Sequence, residues 1–497
     1  MSDDTLGAVR PAPSVAERLD RLPVLPTHRR ITTVIGIGLL FDMYENNLSG
    51  TLSQVLRTDF ALTATDVKLV LASVFLGQFF GAILMGRLAD RLGRRRAFLV
   101  NLAIYSFFSL AGAFSPSVGW LIATRFLAGI GIGAEQTLSD SYLADVLPAR
   151  HRGRLMAWAY TLGFCGVPAV GLTAMWLVPL SPFGVAGWRW LFALGAAGSA
   201  VVWALRRGLF ESPRWLAAVG RRAEAEALTA RLEAEARSLG TSLPEPAGRD
   251  TAYPAHGAPE PGERTPRGDS APEPGGRTPL GKGAAASAPP SDPFLRQLFS
   301  PHLRRRTVQC WLLCLLSTVG YYGFGTLAPL VLAAKGYDIV QGLGYTATVF
   351  VGYPVGALLA VPLMDRVERR FLVAMSALGM ALAGLGFAFA GSASTVIACG
   401  FAYTLVSNVF SSASHVFLAE QYPTRIRAQA SGTAYSLSKL TAAALPFALL
   451  PVLERGGPGM LFATIAAAMA LLAATVVLLG PRTADRPVEA EGPVGSS

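Results

Sequence analysis

Five ionisable side chains stand inside long apolar runs of this sequence: Asp42 and Glu45 in Leu39-Leu-Phe-Asp-Met-Tyr-Glu45, Arg125 and Glu135 in Arg125-Phe-Leu-Ala-Gly-Ile-Gly-Ile-Gly-Ala-Glu135, and Lys439 in Ser436-Leu-Ser-Lys-Leu440. Charge in such a run is costly and is retained where it faces an internal cavity or a partner, so each of the five is a functional candidate. A carboxylate whose proton affinity is set by burial or a nearby cation can release a proton on one side of a barrier and regain it on the other. Asp42, Glu45 and Glu135 suit that task, with Asp42 the first choice. The competing reading of Glu45 and Glu135 is a permanent ion pair between helices, and depth counting pairs Glu45 with Arg125. Arg125 and Lys439 can neutralise an anionic substrate, because a cation left unpaired in a cavity is expensive. For Lys439 a purely structural partnership is the alternative. The coupling ion implied is H+, with no cofactor.

The elements that must carry these residues are membrane helices. The chain has 497 residues, of which 52% are hydrophobic and 15% charged, a balance that suits a lipid solvent. Twelve apolar runs are long enough to cross a hydrocarbon core of about 30 Å: 31–52, 68–89, 97–114, 119–143, 155–178, 188–206, 306–332, 343–364, 371–390, 394–417, 430–453 and 457–480. The first run is too long, and starts too far in, for a removable signal peptide. A formal charge of +11 is gathered in short loops rather than in one stripe, which argues against nucleic-acid binding. Arg87, Arg91, Arg94 to Arg96, Arg150, Arg152, Arg154, Arg366, Arg369, Arg370, Arg425 and Arg427 all fall on one set of loops, and the opposite set holds little beyond Arg57, Lys68, Arg189, Lys335 and Arg455. Cationic loops stay in the cytoplasm, so both termini and the central loop are expected there, in a multi-pass protein of the cell inner membrane. Cys165, Cys310, Cys314 and Cys399 lie in apolar runs with no zinc or disulfide spacing, so no metal site is expected.

A single offset, 365 − 90 = 275, aligns two halves of the chain. It matches Gly77 with Gly352, Gly81 with Gly356, Asp90 with Asp365, Arg91 with Arg366, Arg94 with Arg369, Asp145 with Glu420, Pro148 with Pro423 and Arg152 with Arg427. Six helices per half give both copies the same orientation, hence parallel repeats about an axis along the membrane normal. The fold expected is an all-α membrane protein of twelve helices in two six-helix repeats, 31–206 and 306–480. Residues 1–30 and 481–497 read as cytoplasmic tails. The linker 207–305 begins with an amphipathic helix from Arg214 to Leu239, then turns rich in Pro, Gly and Ser and reads as a disordered tether over 243–293. The intramembrane charges are not duplicated: the offset sets Ser317 and Gly320 against Asp42 and Glu45, and Phe164 against Lys439.

The stretch Gly86-Arg-Leu-Ala-Asp90-Arg91-Leu-Gly93-Arg94-Arg95-Arg96 resembles the loop between helices 2 and 3 of the major facilitator superfamily. Gly86 would permit close helix approach, Gly93 a tight turn, and Asp90 a partner at a helix N-terminus or an arginine. The second copy, Pro362-Leu-Met-Asp365-Arg366-Val-Glu-Arg369-Arg370, lacks both glycines. Arg125 to Glu135, then Tyr142-Leu-Ala-Asp145-Val-Leu-Pro148-Ala-Arg-His-Arg152-Gly153, and Glu211-Ser-Pro-Arg-Trp-Leu216, resemble sugar porters and related metabolite:proton symporters. Asp42-Met-Tyr-Glu45 and the segment from Gly432 to Lys439, Leu440 and Pro446 are similar to motifs of the aromatic-acid and organic-anion branch, with Glu and Lys as substitutions.

The resemblance implies alternating access by a monomeric carrier in the bilayer. Asp90, Arg91, Arg94, Asp145, Arg152, Asp365, Arg366, Glu420 and Arg427, with Gly86 and Gly93, would form a gate on the cytoplasmic side. The function expected is proton-coupled uptake of a small organic metabolite, an organic anion or sugar-like compound. Proton-driven efflux is the rival, since Gly163-Phe-Cys-Gly166-Val-Pro168-Ala-Val-Gly171 faintly resembles an antiporter motif. Tyr321, Tyr322, Asn408 and Gln78 are possible cavity-lining residues, and Asp140 and His415 read as solvated helix ends. No enzyme motif occurs at a usable position: the spacing of Gly129, Gly131 and Gly133 lies inside an apolar helix, where close packing explains it.

Overall fold

The computed structural model describes residues 13–244, 298–300, 303–421 and 424–479. Among them every regular element is a helix. Twelve cross the apolar layer: α1 (Pro26–Thr51), α2 (Ala64–Leu92), α3 (Arg94–Ala113), α4 (Val118–Ile132 continued by Glu135–Val146), α5 (Arg152–Phe164 continued by Gly166–Leu177), α6 (Gly187–Arg207), α7 (Arg304–Ala334), α8 (Ile339–Phe350 continued by Gly352–Arg366), α9 (Arg369–Phe389), α10 (Ala393–Glu420), and α11 and α12, which share Thr424–Leu479 and part at Gly457, where φ is +68°. Among the described residues, ten stretches are long and apolar enough by composition alone to cross a membrane. One of them, Gly432–Leu478, holds both α11 and α12, and α1 is missing because Asp42, Glu45, Asn46 and Asn47 dilute it. The chain is a multi-pass membrane protein.

Several helices bend where glycine or proline allows it. The break in α4 falls at Gly133 and Ala134, so that Glu135 opens its second segment. That in α5 falls at Cys165 and that in α8 at Val351, just before Gly352 and Pro354.

The duplication has a counterpart in packing. A Cβ at Gly77 would collide with the carbonyl of Phe126, and one at Gly81 with the carbonyl of Ile130. At the repeat positions, Gly352 lies against the carbonyl of Phe401 and Gly356 against that of Leu405. Each of these four contacts maps onto its counterpart by the offset of 275, so α2 on α4 and α8 on α10 are two copies of one helix pair. Gly129 and Gly133 complete the first copy against Val74 and Gln78, which is the packing role expected of that glycine series. Gly86 differs from expectation: nothing lies within 4 Å of where its Cβ would stand, and the close approach occurs one and two turns earlier. Gly93 does make the tight turn, at φ +96°.

The halves meet at both ends of the bundle. Away from the arginine-rich loops, Gly171 of α5 packs on Ala347 of α8, and Gly50 of α1 on Thr326 of α7. Toward those loops the hydroxyl of Tyr435 (α11) donates to Gln136 (α4), and the second segment of α8 packs on the first segment of α5. Among the described residues the halves therefore touch on both sides of the bundle centre.

Two corrections concern the segments outside the bundle. The first helix begins at Pro26 rather than 31, and the tail before it carries a helix of its own, Val15–Asp20, with a Ser14 and Glu17 capping box. The expected linker helix is two helices, Pro213–Ala218 and Arg222–Ser238, separated at Gly220 with φ +84°. Leu19, Leu22 and Leu25 pack with Leu232 and Ala236 into a small core of their own. Most of the expected tether, and the tail after 480, fall outside the described residues.

Candidate functional site

The carboxylate, guanidinium and ammonium side chains buried in the described part of the membrane helices are Asp42, Glu45, Glu135, Arg125, Arg206 and Lys439. Position 38 and positions 42 and 45 lie i, i+4 and i+7 along α1, so Gly38, Asp42 and Glu45 share one face. That face meets α6 closely enough that a Cβ at Gly195 would strike Glu45, one at Gly198 the ring of Phe41, and one at Gly38 the guanidinium of Arg206.

Two ion pairs are complete. Arg125 Nη1 donates to Glu45 Oε2 at 3.1 Å, and Ser109 of α3 donates to Glu45 Oε1 at 2.5 Å. Arg125 also reaches Ser109 Oγ at 3.2 Å and lies over the Phe192 ring at 4.5 Å. The pair expected from depth counting is thus present, with both side chains fully buried. The second pair joins Arg206 Nη2 to Glu135 Oε1 at 2.5 Å, with Asn101 Nδ2 donating to Glu135 Oε2 at 2.9 Å and Phe98 beneath the guanidinium at 4.2 Å. Arg206 went unnoticed in the sequence because Arg206-Arg207 reads as an ordinary basic helix end. A charge balance would have found it, since three buried carboxylates with two buried cations is an expensive arrangement.

Asp42 and Lys439 remain. Asp42 is 3% exposed, and its Oδ1 is buried without a hydrogen bond. Lys439, contributed by α11 of the other half, is 4% exposed and donates to the Tyr322 hydroxyl at 3.0 Å. Its ammonium sits 5.3 Å from the Tyr322 ring centre and 5.1 Å from that of Tyr435. Tyr322 in turn stacks edgewise on Phe75 and Tyr321. Lys439 is thus a cation held between two tyrosine faces, near enough to the Asp42 carboxylate of the other half to act on it electrostatically.

Other expected residues fall into place around this centre. Gln78 Nε2 donates to Asn46 Oδ1 at 2.6 Å, on the α1 to α2 contact. Asn408 is not cavity-lining: its amide donates to the carbonyl of Tyr353 in the α8 to α10 contact. Asp140 is half-buried and accepts from Tyr160 at 2.7 Å, so it is not a solvated end, whereas His415 is exposed with its ring beside Tyr435.

On the side of the arginine-rich loops, the partners described for the expected gate residues belong to the N-terminal half. Asp145 accepts from Ser212 Oγ at 2.8 Å and lies 3.9 Å from Arg94, while Arg214 donates to its carbonyl. Arg152 pairs with Asp20 at 3.3 Å, and Arg214 reaches the same carboxylate at 2.6 Å. Glu211 accepts from the backbone N–H of Arg95, so it caps the start of α3, where unpaired N–H groups favour an anion. Glu211, Ser212, Arg214 and Asp20 are thus partners that spacing alone did not supply. Arg91 and Arg366 are exposed, and the side chains of Asp90, Asp365, Glu420 and Arg427 lie outside the described set.

Residues 34–351 match the family model described as Major Facilitator Superfamily, and residues 280–491 match that described as Sugar (and other) transporter. Among curated proteins, the chain is 29% identical to the putative metabolite transport protein YyaJ of Bacillus subtilis, over 87% of each chain. It is 25% identical to the niacin transporter NiaP of Acinetobacter baylyi, over 96% of this chain and 99% of that one, and 26% identical to an arabinose-proton symporter of Bacillus subtilis, over 81% of each. Among solved structures, the xylose transporter XylE from E. coli in a partially occluded inward open conformation superposes with a TM-score of 0.69 at 20% identity, covering 92% of this chain and 99% of that one. With a family model spanning more than half of its length, and a repeat whose glycine contacts recur at one offset, the chain belongs to the Major Facilitator Superfamily and is a membrane transporter, not an enzyme.

Proposed function

We propose that the protein is a proton-coupled importer of a small organic anion, working by alternating access in the cell inner membrane with its arginine-rich loops and both termini in the cytoplasm. The observation that carries this reading is the charge remainder: once Glu45 pairs with Arg125 and Glu135 with Arg206, Asp42 in one half faces Lys439 in the other with neither in an ion pair. An arriving carboxylate competes with Asp42 for the ammonium. Loss of that cation favours the protonated form of Asp42, so anion and proton are carried together. Tyr322 and Tyr435 flank Lys439 and suit a flat or aromatic anion. Relatives named for niacin and for arabinose with a proton support a small metabolite and proton coupling.

On this reading Glu45, Glu135 and Arg125, candidates for coupling and substrate from sequence, hold α1, α3, α4 and α6 together, and Asp42 alone exchanges its proton with solvent. The carrier acts as a monomer, because both halves of the site come from one chain.

Export driven by protons is the second reading, favoured by the bend at Cys165 and the close packing of Gly166 on Leu40 and of Gly171 on Ala347. Reconstituted vesicles separate the two. After a screen of thermal stabilisation by aromatic acids, sugars and cationic drugs, the stabilising class is offered to vesicles with an imposed pH gradient. Asp42→Asn should abolish gradient-driven accumulation and spare substrate exchange. Full accumulation by that variant removes Asp42 from coupling.

A further inference from the structure

The Glu135–Arg206 pair is built in a way that a purely structural pair has no need of. Arg206 is fully buried, yet of its guanidinium only Nη2 makes a hydrogen bond, while Nε and Nη1 have none. Burying unsatisfied N–H groups of a cation is costly unless a second acceptor is close at hand. Arg125 also leaves Nε without a hydrogen bond, but it uses both terminal nitrogens, on Glu45 and Ser109, where Arg206 uses one.

Two buried acceptors without a hydrogen bond belong to this neighbourhood, Asn101 Oδ1 beside Glu135 and Asp42 Oδ1 on α1, and of the two only Asp42 can carry a charge. The Arg206 Nη2 fills the space that a side chain at Gly38 would take. Asp42 stands one turn further along the same face, with Oδ1 buried and unpartnered. Unsatisfied donors of α6 and an unsatisfied acceptor of α1 therefore lie along one strip of α1, in a buried part of the bundle. Gly38 is what lets the guanidinium approach; any larger residue there would push it away.

We propose that Arg206 is a positioning residue for the transported proton: its free Nη1 and Nε take up the Asp42 carboxylate when Asp42 has lost its proton, while Glu135, held by Asn101, anchors the guanidinium and tempers its charge. Asp42 then alternates between two cations. Lys439 belongs to the opposite half and is drawn off by substrate; Arg206 moves with Asp42 in the same half and keeps its charge satisfied while the halves are apart. Among the described residues, the titratable groups near enough to Asp42 to act on it electrostatically are Glu45 on α1, Tyr105 on α3, Glu135 on α4, Tyr160 on α5, Arg206 on α6, and Lys439 and Tyr435 on α11. Of these only Arg206 combines a positive charge, unused donors and a place in the same half.

The inference rests on Asp42 as the coupling group, and the test keeps the two apart. The pH dependence of substrate uptake by purified carrier in vesicles is measured for Arg206→Gln, Arg206→Lys, Glu135→Gln and the double variant Glu135→Gln with Arg206→Gln. Removing the cation favours protonated Asp42, so Arg206→Gln should move the pH midpoint of uptake to the alkaline side by about one unit or more, the size of a nearby-charge effect. Glu135→Gln frees the whole charge of Arg206 for Asp42 and should move the midpoint to the acid side. The double variant should return close to the parent, and Arg206→Lys should hold most of the parental profile. Opposite shifts are what a pair that merely braces helices does not give; such a pair would lose stability in both single variants with an unmoved midpoint. That outcome, or shifts of the same sign, overturns the proposal. If Arg206→Gln fails to fold, the acid shift of Glu135→Gln and its reversal in the double variant decide the matter. If Asp42→Asn still accumulates substrate, the coupling reading itself falls; if Asp42→Asn is uncoupled while the midpoints stay put, only the role of Arg206 falls.

Discussion

Lys439 and Asp42 are the residues on which function is read. Among the described residues no carboxylate lies within ion-pair reach of Lys439, which leans on the Tyr322 hydroxyl and two tyrosine faces. Such a site is incomplete without an anion, since hydrogen bonds to a charged group contribute more than neutral ones and a buried cation with one partner is undersatisfied. Lys439→Gln should therefore weaken an anionic substrate at least tenfold, roughly 1.4 kcal/mol, and leave a neutral analogue nearly unchanged. Competition binding with a matched acid and amide checks this, and equal losses for both would mark Lys439 as structural. The five charges singled out in the sequence are all buried where they were expected, because a charge interrupting an apolar run is conspicuous. Their pairing was legible only for Glu45 with Arg125, where depth along two helices sufficed. The pairing of Glu135 was hidden, because Arg206 sits at a helix end and its inward aim depends on the absence of a side chain at Gly38, on another helix.

At the level of helices, glycine contacts decide how closely the bundle closes. Gly81 and Gly356 are the plainest case, each set against a main-chain carbonyl of the partner helix that cannot swing away. Main chain in contact with main chain is how membrane helices gain packing energy in lipid, where burial of apolar surface offers no drive. Gly81→Val should prise α2 from α4 and lower the thermal stability of the detergent-solubilised protein by several degrees, whereas the same change at Gly86, which faces open space, should be nearly silent. A thermal melt of both variants reads the difference, and equal effects would contradict the contact assignment. The loop signature drew attention to Gly86 and Gly93. Gly93 is justified by its backbone, but Gly86 is not a contact here, because a sequence pattern names small residues without saying which face meets a neighbour.

In the whole molecule the halves touch on both sides of the bundle centre, and the contact away from the arginine-rich loops is the more accessible to test. Gly171 on α5 stands against the backbone of Ala347 on α8. With both positions changed to cysteine, an oxidant should form a crosslink that stops transport, and reduction should restore it, since alternating access requires these helices to part. Transport undiminished by a verified crosslink would mean that the halves do not separate there.

On the opposite side the N-terminal strap ties the linker helices to the bundle. Arg18 donates to Glu233 at 2.8 Å and Arg21 at 2.6 Å, while Thr27 bonds to Glu235. The hydrogen bond from Arg18, reinforced by Arg21, holds the Glu233 carboxyl down at about 2, below its ordinary value of 4.5. The sign follows: the strap's ionic contribution is complete above about pH 4.5 and is lost as pH falls toward 2. Hydrogen exchange of residues 15–25 should accelerate across that window, once corrected for the intrinsic pH dependence of exchange. Glu233→Gln should show the same loosening at neutral pH, and protection unchanged in both experiments would remove Glu233 from the strap.

Hydropathy, the offset of 275 and the arginine-rich loops were enough to read twelve helices, two parallel halves and the family, because lipid forces apolar helices of fixed length and a duplicated scaffold repeats its contacts along the chain. The same reasoning placed the charges by depth. It could not say which carboxylate would be left over. That depends on three-dimensional neighbours far apart in sequence: Arg206 turned inward over Gly38, Ser109 beside Glu45, and Lys439 arriving from the other half. Nor could it show that the tail before Pro26 folds onto the linker, since the leucines of Val15–Asp20 and its flank find their apolar partners two hundred residues away. Periodicity reports which face of a helix is apolar; the identity of the side chain opposite is settled by the packing of one helix on another.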